Sequence, residues 1–252
     1  MMRNRIAAVV LGMVALGVAG CGGGYEPAPA RPIGQEAVTS TSGAGRTAAQ
    51  VLSPGPLEPG SYTTQAYRPK LSFRVGKDWA LFGDNQNGIL LAQQLDPTSN
   101  PERIISVSTV RWVFDKPLLT DKELDQARER HIRPAPRDLL GWLRVNPYLK
   151  LGRPKPVPLG GARGVQFDLT VKEIPGPSNC QQYAPRHCVA LYPITRGGGD
   201  PIDAVELSGT RSRYTLVHVR GLPVLVSVGA PPGQLRAFLP EADKVLKTVS
   251  FA

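Results

Sequence analysis

From Ser61 to the end of the chain, apolar positions come in short alternating or continuous runs cut by Gly and Pro, which is the pattern of strands. It predicts strands near Tyr62 to Tyr67, Lys70 to Val75, Ile89 to Gln94, Ile104 to Phe114, Gly164 to Glu173, Val189 to Ile194, Ala204 to Leu207, Tyr214 to Val219 and Val224 to Val228. Most of the gaps are too short for crossover helices, so the sheet is expected to be largely antiparallel. Two regions read as helix. Thr120 and Glu123 have capping-box spacing and open a segment from Asp121 to about Ile132 that Pro134 ends, with the short apolar piece Leu139, Leu140, Trp142 and Leu143 after it. Near the end, Leu235, Phe238, Leu239, Ala242, Val245, Leu246 and Val249 recur at three and four, a stripe that needs a sheet face to cover. Pro240 fits there only in a first turn or at a kink. The expected fold class is α+β, a largely antiparallel sheet flanked by helices in a single domain over residues 61–252. No period of 20 to 50 residues is visible, which argues against solenoids and propellers.

The first sixty residues follow different rules. Arg3 and Arg5 precede an apolar stretch from Ile6 to Ala19, in the order of a secretory signal peptide and too short to span a bilayer as a helix. Val18-Ala19-Gly20-Cys21, followed by Gly22-Gly23-Gly24, resembles the lipobox of bacterial lipoproteins, in which the Cys thiol is diacylated and becomes the first residue after cleavage. The resemblance implies a signal peptide over residues 1–20 and a diacylglyceryl anchor on Cys21. It also implies localisation at the outer face of the cell membrane, where cytosolic nucleic acid is not a partner. From Gly22 to Gly60 the chain is mostly Gly, Ala, Pro, Ser and Thr and lacks the apolar surface to offset its ordering entropy, so residues 21–60 read as a disordered tether.

Composition refines this picture. Hydrophobic residues at 41% and charged residues at 20% are globular values. The net charge of +10 becomes +8 once Arg3 and Arg5 leave with the signal peptide, which suits an anionic partner. Much of the excess lies in one segment, where Arg128, Arg130, Arg133, Arg137, Arg144, Lys150, Arg153 and Lys155 face only Glu129 and Asp138, with Trp142 and Tyr148 interleaved. Two readings stay open: a solvated basic face, or a contact for anionic lipid head groups or cell-wall polymer.

Other candidate chemistry is sparse. With Cys21 acylated, Cys180 and Cys188 are the remaining thiols, and an oxidising compartment favours a structural disulfide between them. A redox thiol activated by His187 is the alternative, but neighbouring side chains on an extended strand point apart. His131 and His218 have no companion at zinc-ligand spacing, and His218 falls at a sheet surface by the alternation around it. The acidic trio Asp121, Glu123 and Asp125 complements a helix dipole. Ser208-Gly209 lacks the first Gly of a nucleophile elbow, and Arg196 to Pro201 lacks the Lys and helix of a phosphate loop.

The entry Pro59-Gly60-Ser61-Tyr62, the run Pro69-Lys70-Leu71-Ser72-Phe73-Arg74-Val75 with Trp79, and the exit from Phe238 through Pro240, Val245 and Leu246 to Val249-Ser250-Phe251 resemble a group of actinobacterial lipoproteins. That group in turn is similar to the PsbP-like α/β/α sandwich. The resemblance implies an antiparallel sheet flanked by helices and brings no active-site residues with it. The functional expectation is a non-enzymatic binding or scaffolding lipoprotein without cofactor or metal. A lipid or small-ligand carrier, with an apolar cavity between sheet and helix, and a hydrolase of unrecognised type are the alternatives.

Overall fold

The structure is a computed structural model, and it describes residues 50–52, 54–93, 103–117, 120, 123, 131–180, 186–194 and 203–252. In chain order the first strands are β1 (Gln50–Val51), β2 (Gly55–Leu57), β3 (Gly60–Thr63), β4 (Leu71–Val75), β5 (Trp79–Asn85), β6 (Gly88–Gln93) and β7 (Arg103–Thr109). Then come β8 (Trp112–Phe114), β9 (Ile132–Pro134), helix α1 (Leu139–Val145), β10 (Leu149–Leu151), β11 (Lys155–Leu159) and β12 (Ala162–Val171). The chain finishes with β13 (Cys188–Pro193), β14 (Asp203–Leu207), β15 (Arg211–Val219), β16 (Leu222–Gly229), helix α2 (Leu235–Leu246) and β17 (Ser250–Phe251).

The frame is a nine-stranded sheet in the order β10-β12-β15-β16-β7-β6-β5-β2, with β11 sharing the β12 edge with β10. Its pairings are antiparallel throughout, and the Ala162–Val171, Arg211–Val219 and Leu222–Gly229 strands form its long centre. Alternation along these strands sorts side chains to two faces. Val217, Val219, Val224, Val226 and Val228 enter one core with Ile89, Leu91, Ile105 and Val107, capped by the four-stranded sheet β1-β3-β4-β17 and by α2. Phe167, Leu169, Val171, Tyr214, Leu216 and Leu225 enter a second core on the opposite face, under Leu139 and Leu143 of α1 and Val189, Leu191 and Tyr192 of the β13-β14 hairpin.

Helix α2 keeps Leu235, Phe238, Ala242 and Val245 buried, each large side chain worth roughly 1.5–3 kcal/mol of burial. Pro240 lies inside the helix and not in its first turn, so Arg236 loses its i+4 backbone donor. Gln234 leads into the helix without a side-chain cap, because its amide oxygen accepts instead from Arg103 Nη2 at 3.0 Å. Helix α1 starts where Asp138 Oδ1 accepts from Gly141 N at 2.7 Å and stops at Asn146, whose extended backbone Pro147 favours.

The helix-flanked α/β/α sandwich is overturned. Among the described residues the helices with printed bounds are α1 and α2, one of them only seven residues long, with Glu123 the one further helical residue. The capping box does form, Glu123 N donating to Thr120 Oγ1 at 3.2 Å and Thr120 N to Glu123 Oε2 at 2.8 Å, and Glu123 is helical; residues 121–122 and 124–130 of the expected helix lie outside the described residues, His131 is in a bend, and Ile132 pairs as β9 with β8. The second face of the sheet is covered chiefly by strands. There the β13-β14 pair buries Val189, Leu191 and Tyr192, apolar residues close together in one short strand and without helical spacing. The architecture is mostly antiparallel β. Described structure also reaches into the stretch read as tether: from Gln50, β1 pairs with β3 and β2 with β5, and Leu52 and Leu57 are buried. No described helix is long and apolar enough to cross a membrane.

Candidate functional site

Sorting by face leaves one strip of the large sheet uncovered. On β12, Phe167, Leu169 and Val171 are buried in the second core, so Gln166, Asp168 and Thr170 point to the face that α2 covers elsewhere, and all three are half-buried. On β15 the same face carries Arg211, Arg213, Thr215, Val217 and Val219 in turn. The change from Arg to Val marks where the cover begins. Cross-strand register places Asp168 opposite Arg213 and Thr170 opposite Arg211, while Lys150 of β10 stands opposite Thr170 and Lys155 of β11 opposite Gln166. Both lysines are exposed.

Asp168 is the electrostatic centre of the strip. Its Oδ1 accepts from Arg213 Nε at 3.0 Å and its Oδ2 accepts from Arg211 Nη2. Partial burial pushes its carboxyl up, and the hydrogen bonds and charges of the two guanidinium groups outweigh this and hold it below the usual carboxylate range. Where the strip meets α2 there is a groove of about 410 Å³, with Asp168, Gly209, Arg211 and Arg213 on the sheet side and Pro231, Pro232, Gly233, Leu235, Arg236 and Leu239 on the helix side. Arg236 is exposed and has no ion pair among the described residues. Glu173 stands at the rim, since a Cβ on Gly209 would come within 2.7 Å of its Oε1.

A second polar cluster lies inside the molecule. Glu206 of β14 accepts from Tyr214 Oη at 2.5 Å and from Ser212 Oγ at 2.9 Å, and Ser106 and Ser108 share a hydrogen bond nearby on the same face. Although Glu206 keeps some exposure as a residue, burial of its carboxyl raises its pKa against the hydrogen bonds from Tyr214, Ser212 and Thr210. Burial likewise raises Tyr192 and Tyr214, and it takes Tyr67 to about 12. Glu206 and Tyr214 bond to each other and Glu206 to Ser212, Tyr67 accepts from Thr109 Oγ1 at 3.1 Å in the first core, and none of these groups lines the groove.

The basic segment read from the sequence does not form one patch. Arg128 and Arg130 lie outside the described residues. Arg133 is on β9, Arg137 in the loop that follows, and Arg144 in the last turn of α1, which packs on the second core. Lys150 and Lys155 belong to the opposite face of the sheet, with Arg153 in the turn between them. Arg211, Arg213 and Arg236, which make the groove basic, lie far along the chain from that segment, and the Arg-x-Arg alternation at the start of β15 is the sequence signal for the first two.

Cys180 and Cys188 are buried at disulfide distance, with Cα atoms 5.8 Å apart. Asn179 holds this connection: its Nδ2 donates to Cys188 O and its Oδ1 accepts from Cys188 N, each at 3.0 Å. His187 is buried with Nδ1 at 3.1 Å from Asn179 Oδ1 and Nε2 at 3.3 Å from Gly176 O, so its ring serves the loop and not a thiol. His218 is exposed on the sheet surface as the alternation implied, and His131 stands 3.5 Å from Asp115. Cys21, Asp121, Asp125 and the Gly-rich stretch up to Asp200 lie outside the described residues. Among the described residues there is no group of three or more side chains able to hold a metal ion. The space between α2 and the sheet, where a carrier would hold an apolar ligand, is filled by Trp79, Phe238, Ala242 and Val245, with the Trp79 and Phe238 rings 6.1 Å apart.

No family model matches the chain, and no curated protein matches it. Among solved structures it is similar to the cyanobacterial PsbP protein CyanoP of Synechocystis, at 8% identity and a TM-score of 0.37, over 77% of this chain and 94% of that one. A protein of Bacteroides thetaiotaomicron is similar at 11% identity and a TM-score of 0.32, over 78% of this chain and 49% of that one.

Proposed function

We propose that the chain is a non-enzymatic binding domain of the cell envelope, held at the outer membrane face by a diacylglyceryl group on Cys21, and that its partner is a surface of anionic lipid head groups. The observation that carries this reading is the open strip of the large sheet, where Lys150, Lys155, Arg211 and Arg213 share one face and Asp168 is the acid among them. Clustered cations on a solvated sheet face are attracted to an anionic bilayer by about 1 kcal/mol each near the surface. The lipobox-like Val18-Ala19-Gly20-Cys21 keeps the domain within a tether's length of such a surface. The strongly perturbed titratable groups, Glu206 and the buried tyrosines, are engaged in the interior and do not line the groove, which supports binding over catalysis.

Two measurements test the reading. Metabolic labelling with an alkyne fatty acid should mark the protein and fail to mark Cys21→Ala. Residues 21–252 carrying Cys21→Ser should cosediment with phosphatidylglycerol vesicles more than with phosphatidylcholine vesicles. That preference should fade as salt rises and the Debye length falls from roughly 10 Å at 0.1 M to about 3 Å at 1 M. Equal binding to both vesicle types, or a preference untouched by Lys150→Gln with Lys155→Gln and Arg211→Gln, overturns it.

A further inference from the structure

The groove beside α2 differs from the strip that leads to it, because it pairs charge with apolar surface. Pro231, Pro232, Leu235 and Leu239 form its helix-side wall, and guanidinium groups stand at both sides: Arg211 and Arg213 on the sheet, Arg236 on the helix. The two sheet arginines share the carboxylate of Asp168, which fixes their orientation and leaves one positive charge uncompensated between them. Arg236 adds a second, with no ion pair among the described residues, against Glu173 at the rim. A flat bilayer has no use for a recess of about 410 Å³, which lies within the range of small-molecule sites.

We propose that this groove binds single molecules of an amphiphilic anion, with the phosphate head between Arg236 and the Arg211–Arg213 pair and the apolar chain along Leu235, Leu239 and the two prolines. The proposal rests on the reading of the domain as a binding module for anionic lipid and names the site and the form of the ligand. Arg is suited to the head because its planar fork reaches two phosphate oxygens at once. The chain lies on surface that is otherwise hydrated, so each buried methylene adds roughly 0.8 kcal/mol. A compact anion lacks that second contribution, and a zwitterionic head brings its own cation against three arginines.

The test is calorimetric titration of residues 21–252 carrying Cys21→Ser with monomeric dihexanoyl phosphatidic acid, dihexanoyl phosphatidylcholine and inorganic phosphate. Dihexanoyl phosphatidic acid should bind about tenfold or more tightly than either comparator, and Arg236→Gln should weaken it about tenfold, the loss of one charge-assisted contact. Arg236 is exposed and has no ion pair among the described residues, so this variant keeps its fold, and thermal unfolding verifies that. Inorganic phosphate binding as tightly as the lipid removes the apolar wall from the site. Phosphatidylcholine binding as tightly removes the arginines, and an unchanged Arg236→Gln removes the groove; each result overturns the proposal. If one of them occurs while phosphatidylglycerol vesicles are still bound in a salt-sensitive way that Lys150→Gln with Lys155→Gln abolishes, the groove proposal falls and the membrane-surface reading stands. Loss of both binding modes sinks the two together.

Discussion

Glu206 Oε1 accepts the Tyr214 hydroxyl at 2.5 Å, and because Glu206 belongs to the two-stranded β13-β14 sheet and Tyr214 to the nine-stranded one, this bond ties the cover of the second core to its floor. Ser212 Oγ adds a second tie at 2.9 Å. Burial raises the Glu206 pKa in the fold. The folded state therefore holds the proton more tightly than the unfolded chain, and this group's contribution to stability grows as pH falls through its folded-state pKa. The contribution is complete below the unfolded carboxyl value of about 4.3 and is lost as pH rises. Asp168 and Glu123, both lowered, act in the opposite sense at low pH, so the contribution of Glu206 is isolated by comparing wild type with Glu206→Gln. Denaturant titrations from pH 8 to pH 5 should show wild type gaining on Glu206→Gln as pH falls, and a constant difference refutes the argument. Glu206→Ala, which leaves the Tyr214 hydroxyl without this acceptor, should cost about 1–3 kcal/mol.

Cys180 and Cys188 are buried among Phe114 and Ala190 in the smallest of the three cores. Alkylation of the folded protein without reduction should label neither thiol, and reduction under denaturing conditions should expose both. Their sequence separation is 8, so closing this short loop is worth roughly 2–3 kcal/mol on chain entropy, and Cys180→Ser with Cys188→Ser should lower stability by about that amount. Labelling of either thiol before reduction refutes the pairing.

Two glycines separate packing from backbone conformation. A Cβ on Gly164 would stand 2.5 Å from Val217 Cγ1 and 2.6 Å from the Leu216 carbonyl oxygen, where β12 and β15 meet. Gly161 has φ +83 with nothing within 4 Å of its would-be Cβ. Gly164→Ala should therefore cost about 2–3 kcal/mol by forcing the strands apart, and Gly161→Ala only about 1–2 kcal/mol by conformation alone. Equal losses in urea titrations would show that the strands have room the distances deny.

The strands most visible in the sequence are those whose two faces differ, such as Leu71–Val75 with Leu71, Phe73 and Val75 buried and Arg74 exposed. Those that escaped lack that contrast. Trp79–Asn85 runs Trp-Ala-Leu-Phe and changes register between Leu81 and Gly83, so its period is broken. Lys155–Leu159 carries Pro156 and Pro158, which argue against a strand until it is seen to pair on one side only, with β12. The expected helical cover failed because composition does not say which element fills the second face; the β13-β14 hairpin does so by tertiary contact alone. The groove was hidden for a related reason. Asp168 and Arg213 are far apart in the chain and become partners only through the register of β12 and β15.

That register gives the last prediction. Asp168 neutralises part of the positive strip and also steers Arg211 and Arg213, so its removal has opposite effects on two kinds of ligand. Binding to an extended anionic surface depends on the sum of charge within a Debye length, and Asp168→Asn raises that sum by one. Binding of a single molecule in the groove depends on where the guanidinium groups point, and those forks lose their shared anchor. Asp168→Asn should therefore bind phosphatidylglycerol vesicles more strongly than wild type, by a few-fold at low salt, and monomeric dihexanoyl phosphatidic acid more weakly. The cost in stability should stay near 1 kcal/mol, because Arg211 is largely exposed and water screens the pair. Cosedimentation and calorimetry on the same preparation read the two effects side by side. Movement of both affinities in one direction would mean that Asp168 acts as a charge alone and does not position the arginines.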